Sequence, residues 1–142
     1  MAALNFFNAN MPLPGGNMDT KPFWDFCDKH ELRIQVCNDC KNYWHTPTPC
    51  CYKCHSFNFT WTEVSGKATV YSKLIVHRAP HPAVADKVPY NIVMVTLDDY
   101  PEIRLSTNVV DCPNEEIKEG MPVELVWDDV AEGRALYRFK RR

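Results

Sequence analysis

At 142 residues the chain is about one domain long, and its 18 acidic against 16 basic side chains leave a formal charge of −2. That balance counts against a non-specific nucleic-acid binder, which normally carries a clear basic excess. No run of about 18 apolar residues occurs, so no membrane-spanning helix is predicted, and the opening Met1-Ala-Ala-Leu-Asn-Phe-Phe-Asn8 lacks the basic start and long apolar stretch of a secretion signal. A cytoplasmic location is expected.

Residues 1–18 contain Pro12-Leu-Pro-Gly-Gly-Asn17 and read as an extended arm. Leu4, Phe6, Phe7 and Met11 make it more apolar than a solvated tail requires, which suggests that it lies on another surface, such as a partner subunit; a plain disordered start is the alternative. Asp19 to His30 then predicts a short helix. Asp19 or Thr20 can cap it, and Pro22 suits a first turn where its missing N–H is not needed. Phe23, Trp24 and Cys27 fall on one side of that helix, a spacing typical of packing surface.

Leu32, Ile34 and Val36 alternate with Arg33 and Gln35, so a strand leads into Cys37-Asn-Asp-Cys40. Tyr43, Trp44 and His45 form the returning strand, and Thr46-Pro-Thr-Pro49 turns the chain into Cys51-Tyr-Lys-Cys54. Each C-x-x-C turn aims two sulfurs at one point, and a single hairpin brings the pairs together as a tetrahedral four-cysteine zinc site. Cys50 is a neighbouring rival to Cys51, but only Cys51 has the C-x-x-C spacing with Cys54. A zinc holding four protein ligands has no open position for a substrate. The stretch from about 31 to 60 is too small to bury a sufficient core by itself, so the metal is expected to serve as its core. Seven cysteines, with two close pairs, suit a metal in a reducing compartment better than a disulfide framework. Cys27 and Cys112, left over, read as small hydrophobes.

From Trp61 the pattern becomes purely β. Lys67–His77 alternates, Tyr90–Leu97 is nearly all apolar, and Ile103, Leu105, Thr107 and Val109 point one way. Val123, Leu125 and Trp127 make a fourth strand and Ala135–Phe139 a fifth, with turn signals at Asp98-Asp-Tyr-Pro101, Glu119-Gly-Met-Pro122 and Glu132-Gly133. Five short strands in this length predict a small barrel of the OB type rather than a sandwich. The fold expected is mainly β: an arm over 1–18, a helix plus rubredoxin-like zinc ribbon over 19–60, and a five-stranded OB-fold barrel over 61–142.

This order of helix, four-cysteine ribbon and barrel resembles the zinc-ribbon/OB-fold family of acyl-CoA-associated proteins. The resemblance covers about residues 19 to 139. It is carried by Pro22-Phe-Trp-Asp25, Leu32-Arg-Ile-Gln-Val-Cys37, the two cysteine pairs, Ser65-Gly66 with Thr69-Val-Tyr-Ser72, Val76-His-Arg-Ala-Pro80, Pro89-Tyr90, Asn108-Val-Val-Asp111 and Gly120-Met-Pro-Val123. The family often has Gly shortly after its second Cys and after its last one. This chain has Lys41-Asn42 and His55 there, departures that touch the ribbon's loop geometry rather than its metal.

The resemblance implies a zinc-binding companion subunit in a hetero-oligomer with a thiolase-fold catalytic subunit, completing or stabilising an acyl-CoA site. Related complexes cleave CoA thioesters by thiolysis or retro-aldol chemistry, one of them in the anaerobic breakdown of toluene. A thiolase needs a nucleophilic Cys with a lowered pKa. Cys27 on the apolar side of the helix and Cys112 in a Pro-Asn loop lack the setting for it, so no catalytic residue is expected in this chain. His77 and Arg78 open the loop between the first two barrel strands, where OB-folds bind ligands. They are candidates for meeting CoA phosphates or a partner's carboxylates. Phe23, Trp24 and Tyr90 complete the residues expected at a partner or CoA surface.

Two other functions stay open. An OB-fold binder of single-stranded nucleic acid could stack bases on Tyr71, Trp127, Tyr137 or Phe139, although these read better as barrel core and rim. A ribbon of this type could instead hold iron in a redox protein. The basic cluster Arg138-Phe-Lys-Arg-Arg142 reads as a solvated tail.

Overall fold

The structure, a computed structural model, describes Leu4 and residues 6–142. Helix α1 runs Lys21–Asp28 with Pro22 in its first turn. Its start is organised less by Thr20 than by Asn17, whose side-chain oxygen accepts the backbone N–H groups of Asp19 and Thr20, each at 2.9 Å. Phe23 and Cys27 are the two buried residues of the helix.

The ribbon is a three-stranded antiparallel sheet of β1 (Arg33–Cys37), β2 (Tyr43–Trp44) and β3 (Phe59–Glu63), in the order β2-β1-β3. Strand β3 pairs with β1 from Cys37↔Phe59 to Arg33↔Glu63, so the ribbon's ladder runs past residue 60. Gln35, which the alternation sets on the face opposite Ile34, is buried. Its amide donates to the Thr48 carbonyl at 2.8 Å and accepts the Thr48 N–H at 2.9 Å, satisfying both ends of a buried polar group. The loop entering the second cysteine pair is thereby pinned to β1.

The OB part is a six-stranded sheet of β4 (Lys67–Val76), β5 (Tyr90–Leu97), β6 (Arg104–Thr107), β7 (Val109–Val110), β8 (Pro122–Ala131) and β9 (Arg134–Arg141), in the order β6-β5-β4-β8-β9-β7. The third strand expected from sequence is broken at Asn108: its first half pairs with β5 and its second runs parallel to β9. The two ends of the sheet order are thus one residue apart in the chain, so the sheet curls round on itself. Asn91 holds the break. Its side chain donates to the Val109 carbonyl at 2.9 Å and accepts the Val109 N–H at 2.7 Å, while Asn108 donates to the Asn91 carbonyl at 2.5 Å. Gly66 leads into β4 at φ +86°, where a Cβ would sit 3.0 Å from Leu125 Cβ; both the conformation and the contact call for glycine.

One apolar core joins helix, ribbon base and barrel. Phe23, Cys27, Leu32 and Ile34 cluster with Val93, Val95, Leu105, Val123 and Phe139. Trp24 stacks on Tyr137 (7° between planes) and Phe26 meets Trp61 at 5.5 Å. No helix among the described residues is long and apolar enough to cross a membrane.

Candidate functional site

The two cysteine turns have the same hydrogen-bond pattern. In the first, Lys41 N–H donates to the Cys37 carbonyl (3.1 Å) and Cys37 N–H to the Asn42 carbonyl (2.7 Å). In the second, His55 N–H donates to the Cys51 carbonyl and Cys51 N–H to the Ser56 carbonyl, both at 2.9 Å. Lys41 and His55, the two departures from glycine, stand at φ 66° and 63°. The left-handed turn that glycine would adopt freely is therefore kept here by residues with side chains.

These turns place the sulfurs of Cys37, Cys40, Cys51 and Cys54 within 4.8 Å of one another. Cys37 and Cys54 sulfurs are 3.5 Å apart and those of Cys40 and Cys51 3.6 Å. A tetrahedral zinc with Zn–S bonds of about 2.3 Å requires sulfurs about 3.8 Å apart, so the four residues fit the ion. Cys50 lies outside this group. Backbone N–H of Cys40 is the chief cause that holds the Cys37 thiol below its ordinary value. Cys51 is pushed up by desolvation but brought down to about 6 by N–H groups of Cys54 and Lys53 and by the Asn42 amide. Cys54, although it accepts from Ser56 N–H, is pushed up to about 12 by desolvation and the sulfurs beside it. Four crowded thiols cannot all ionise without a cation, and a zinc ion held by Cys37, Cys40, Cys51 and Cys54 would supply the compensating charge.

The remaining thiols are of another kind. Burial pushes Cys27 up to about 12, with the Asp28 carboxylate adding to it. Cys112 is also raised, chiefly by desolvation. A thiol with a raised pKa is a poor nucleophile.

The five residues expected at a partner or CoA surface fall in different places. Phe23 is 2% exposed and packs on His45 and Tyr137, so its ring is core. Tyr90 is buried against Phe7, ring centroids 5.1 Å apart. Trp24 is half-buried and lines a groove of about 270 Å³ with Phe7, Met11, Tyr90 and Tyr137. His77 and Arg78 are exposed, and among the described residues neither has a hydrogen-bond or ion-pair partner.

A buried polar chain that no local sequence signal marks lies beside that groove. Arg138 Nε donates to Asp128 Oδ2 at 3.2 Å, and its Nη1 donates to Asn108 Oδ1 at 2.7 Å. The side chains of Arg138 and Asp128 are 7% and 2% exposed. Burial lowers the Arg138 pKa, and Asp128 opposes that shift. The supposed solvated tail is in fact paired throughout: Lys140 with Glu124, Arg141 with Glu116 and Arg142 with Asp98. Each partner stands far away in sequence or across a hairpin, where a linear reading shows only a run of charge. Of the aromatics weighed for base stacking, Phe139 is core, Tyr137 stacks on Trp24, Trp127 stacks on His30, and exposed Tyr71 is covered by the Arg104 guanidinium at 4.2 Å.

Residues 24–60 match the family model of the ChsH2 rubredoxin-like zinc ribbon domain, and residues 61–128 that of the ChsH2 C-terminal OB-fold domain. A DUF35 domain-containing scaffold protein of Pyrococcus furiosus is 32% identical over 135 residues, covering 90% of this chain and 95% of that one. The chain belongs to the DUF35 family. The clustered Cys37, Cys40, Cys51 and Cys54 all lie within the residues matched to the zinc ribbon. A solved structure titled Ltp2-ChsH2(DUF35) aldolase superposes with a TM-score of 0.83 at 35% identity, covering 91% of this chain and 98% of that one. The probable enoyl-CoA hydratase alpha subunit of Thermomonospora curvata is 38% identical over 116 residues. The match takes in 82% of this DUF35 chain but 35% of that relative, so the chain spans about a third of its length.

Proposed function

We propose that this DUF35 protein is a non-catalytic companion subunit of an acyl-CoA-processing enzyme, stabilising a catalytic partner and shaping its acyl-CoA site. The observation that carries this reading is the likeness, over nearly the whole length of the DUF35 chain, to a structure whose title joins DUF35 to an aldolase. The chemistry of the chain supports it. Its four clustered cysteines would give a zinc ion four protein ligands and leave no open position, and Cys27 and Cys112 have raised pKa values where a nucleophile needs a lowered one.

The zinc's role is structural: it neutralises the four thiolates and holds the two turns together. The chain's own residues then supply surface. Trp24, His77 and Arg78 are the exposed or half-exposed members of the expected contact set. Arg78 can offer a planar pair of donors to a phosphate or carboxylate. The finer reading is a thiolase-fold partner that cleaves a carbon–carbon bond of a CoA thioester by thiolysis or retro-aldol chemistry. The 2-benzoylsuccinyl-CoA of anaerobic toluene breakdown is one substrate of that class. Hydration is the second reading, favoured by the 38% identity to a protein named as a hydratase subunit.

The test is affinity purification of the tagged, zinc-loaded chain from its native host, followed by assay of what comes with it. A partner that acts on acyl-CoA thioesters is expected, with no turnover by this chain alone. Thiolysis consumes free CoA, retro-aldol cleavage releases a carbonyl product without consuming it, and hydration removes the enoyl double bond. Turnover of a thioester by the isolated chain would falsify the companion reading.

A further inference from the structure

The N-terminal arm has no part in the function proposed above, yet it is fastened to the barrel at several points. Leu4 N–H donates to Asp128 Oδ1 at 2.9 Å. The Phe6 and Phe7 rings lie 5.4 and 5.5 Å from the Arg138 guanidinium. The Asn8 amide donates to the Ala83 carbonyl, and the Pro14 carbonyl accepts from Arg134 at 2.5 Å. Ala83 belongs to the loop joining β4 and β5; Asp128, Arg134 and Arg138 belong to the β8–β9 hairpin. OB-folds bind their ligands between the corresponding two loops. The place of the ligand is therefore taken by an extended segment of the same chain.

Two observations show an arm laid on the barrel rather than built into it. Among its described residues, the one backbone–backbone hydrogen bond within 4–14 is Met11 N–H to the Asn8 carbonyl, so no strand ladder fixes it. Open clefts of about 350, 270 and 70 Å³ also run along it, each lined in part by arm residues, and none of the arm's described residues is fully buried. Segments with few buried contacts open at free energies well below that of global unfolding.

We propose that Leu4 and residues 6–14 belong to a displaceable strap over the barrel mouth. The floor beneath, formed by Tyr90, Asn108, Tyr137 and Arg138, receives in its place an extended polypeptide segment with adjacent aromatic side chains. The arm itself is the template for this occupant: a backbone N–H for Asp128, and two neighbouring rings for Arg138, whose guanidinium favours an aromatic face. That the catalytic partner supplies the segment rests on the companion-subunit reading; the existence of the site does not.

The probe is a labelled peptide of residues 1–14, its binding followed by fluorescence anisotropy. Zinc-loaded chain 15–142 is expected to bind it. The full chain should bind about tenfold more weakly or worse, because its own arm competes at high effective concentration. A peptide carrying Phe6→Ala and Phe7→Ala should not bind. Equal binding to full and shortened chains, or none to a folded shortened chain, overturns the proposal. If chain 15–142 does not fold, the full chain with Phe6→Ala and Phe7→Ala decides: tighter peptide binding than the unaltered chain supports the strap, and unchanged binding overturns it. None of these outcomes depends on whether the co-purification finds an acyl-CoA enzyme.

Discussion

The ribbon and the barrel are both made of short strands, but different forces hold them. The barrel buries Val93, Val95, Leu97, Leu105, Val123 and Phe139, each at most 2% exposed. Beyond Ile34 the ribbon gathers Cys37, Trp44 and Cys51, with Phe59 packed against them. Apolar burial supplies the driving force in the first region, and thiolate coordination supplies it in the second. The four cysteines thus stand where the local core is smallest, while the barrel carries an extensive apolar core of its own.

Removing the metal is the strongest way to break this comparison. Structural zinc is worth about 10–16 kcal/mol of apparent binding free energy in isolated fingers. Chelation, or Cys37→Ala, should abolish hydrogen-exchange protection across 38–58 while β5 and β9 stay protected. Loss of protection in both regions at once would show a single cooperative unit. The converse change is Phe139→Ala, a cavity at a fully buried ring, expected to cost about 3–5 kcal/mol in denaturant unfolding. Zinc content should remain one per chain by metal analysis.

A third change probes the seam between the regions. His45 packs on Phe23, and burial lowers its pKa from 6.5 to about 4. The folded state therefore holds it neutral, so its contribution is present above 6.5 and lost as pH falls toward 4. His45→Gln should flatten the acid limb of the stability profile in that window by up to about 3 kcal/mol relative to the unaltered chain. An identical acid limb would place the titration elsewhere. The smallest effect concerns the turns: Lys41→Gly and His55→Gly relieve left-handed backbone and should each stabilise the zinc form by about 0.5–1 kcal/mol, read as a rise in Tm.

The metal centre and most strands were legible in sequence because their signals are local. C-x-x-C spacing, the alternation around Ile34 and the apolar run of β5 each fit within a few residues. What stayed hidden depends on tertiary approach. The break at Asn108 is visible only when Asn91 comes beside it. Asp128 and Arg138 look like surface charges until their side chains meet inside the sheet. Phe23 and Trp24, adjacent in one helix, part company because one faces the shared core and the other the groove. Gln35 shows the same limit: period-two alternation assigns a face, but it does not reveal that a loop will cover that face.

If the metal shapes the protein while a partner does the chemistry, exchanging zinc for cadmium, which four thiolates also hold, in the co-purified complex should leave kcat for the acyl-CoA reaction unchanged. A large change in kcat, with the complex still intact, would contradict this and put the metal in the reaction.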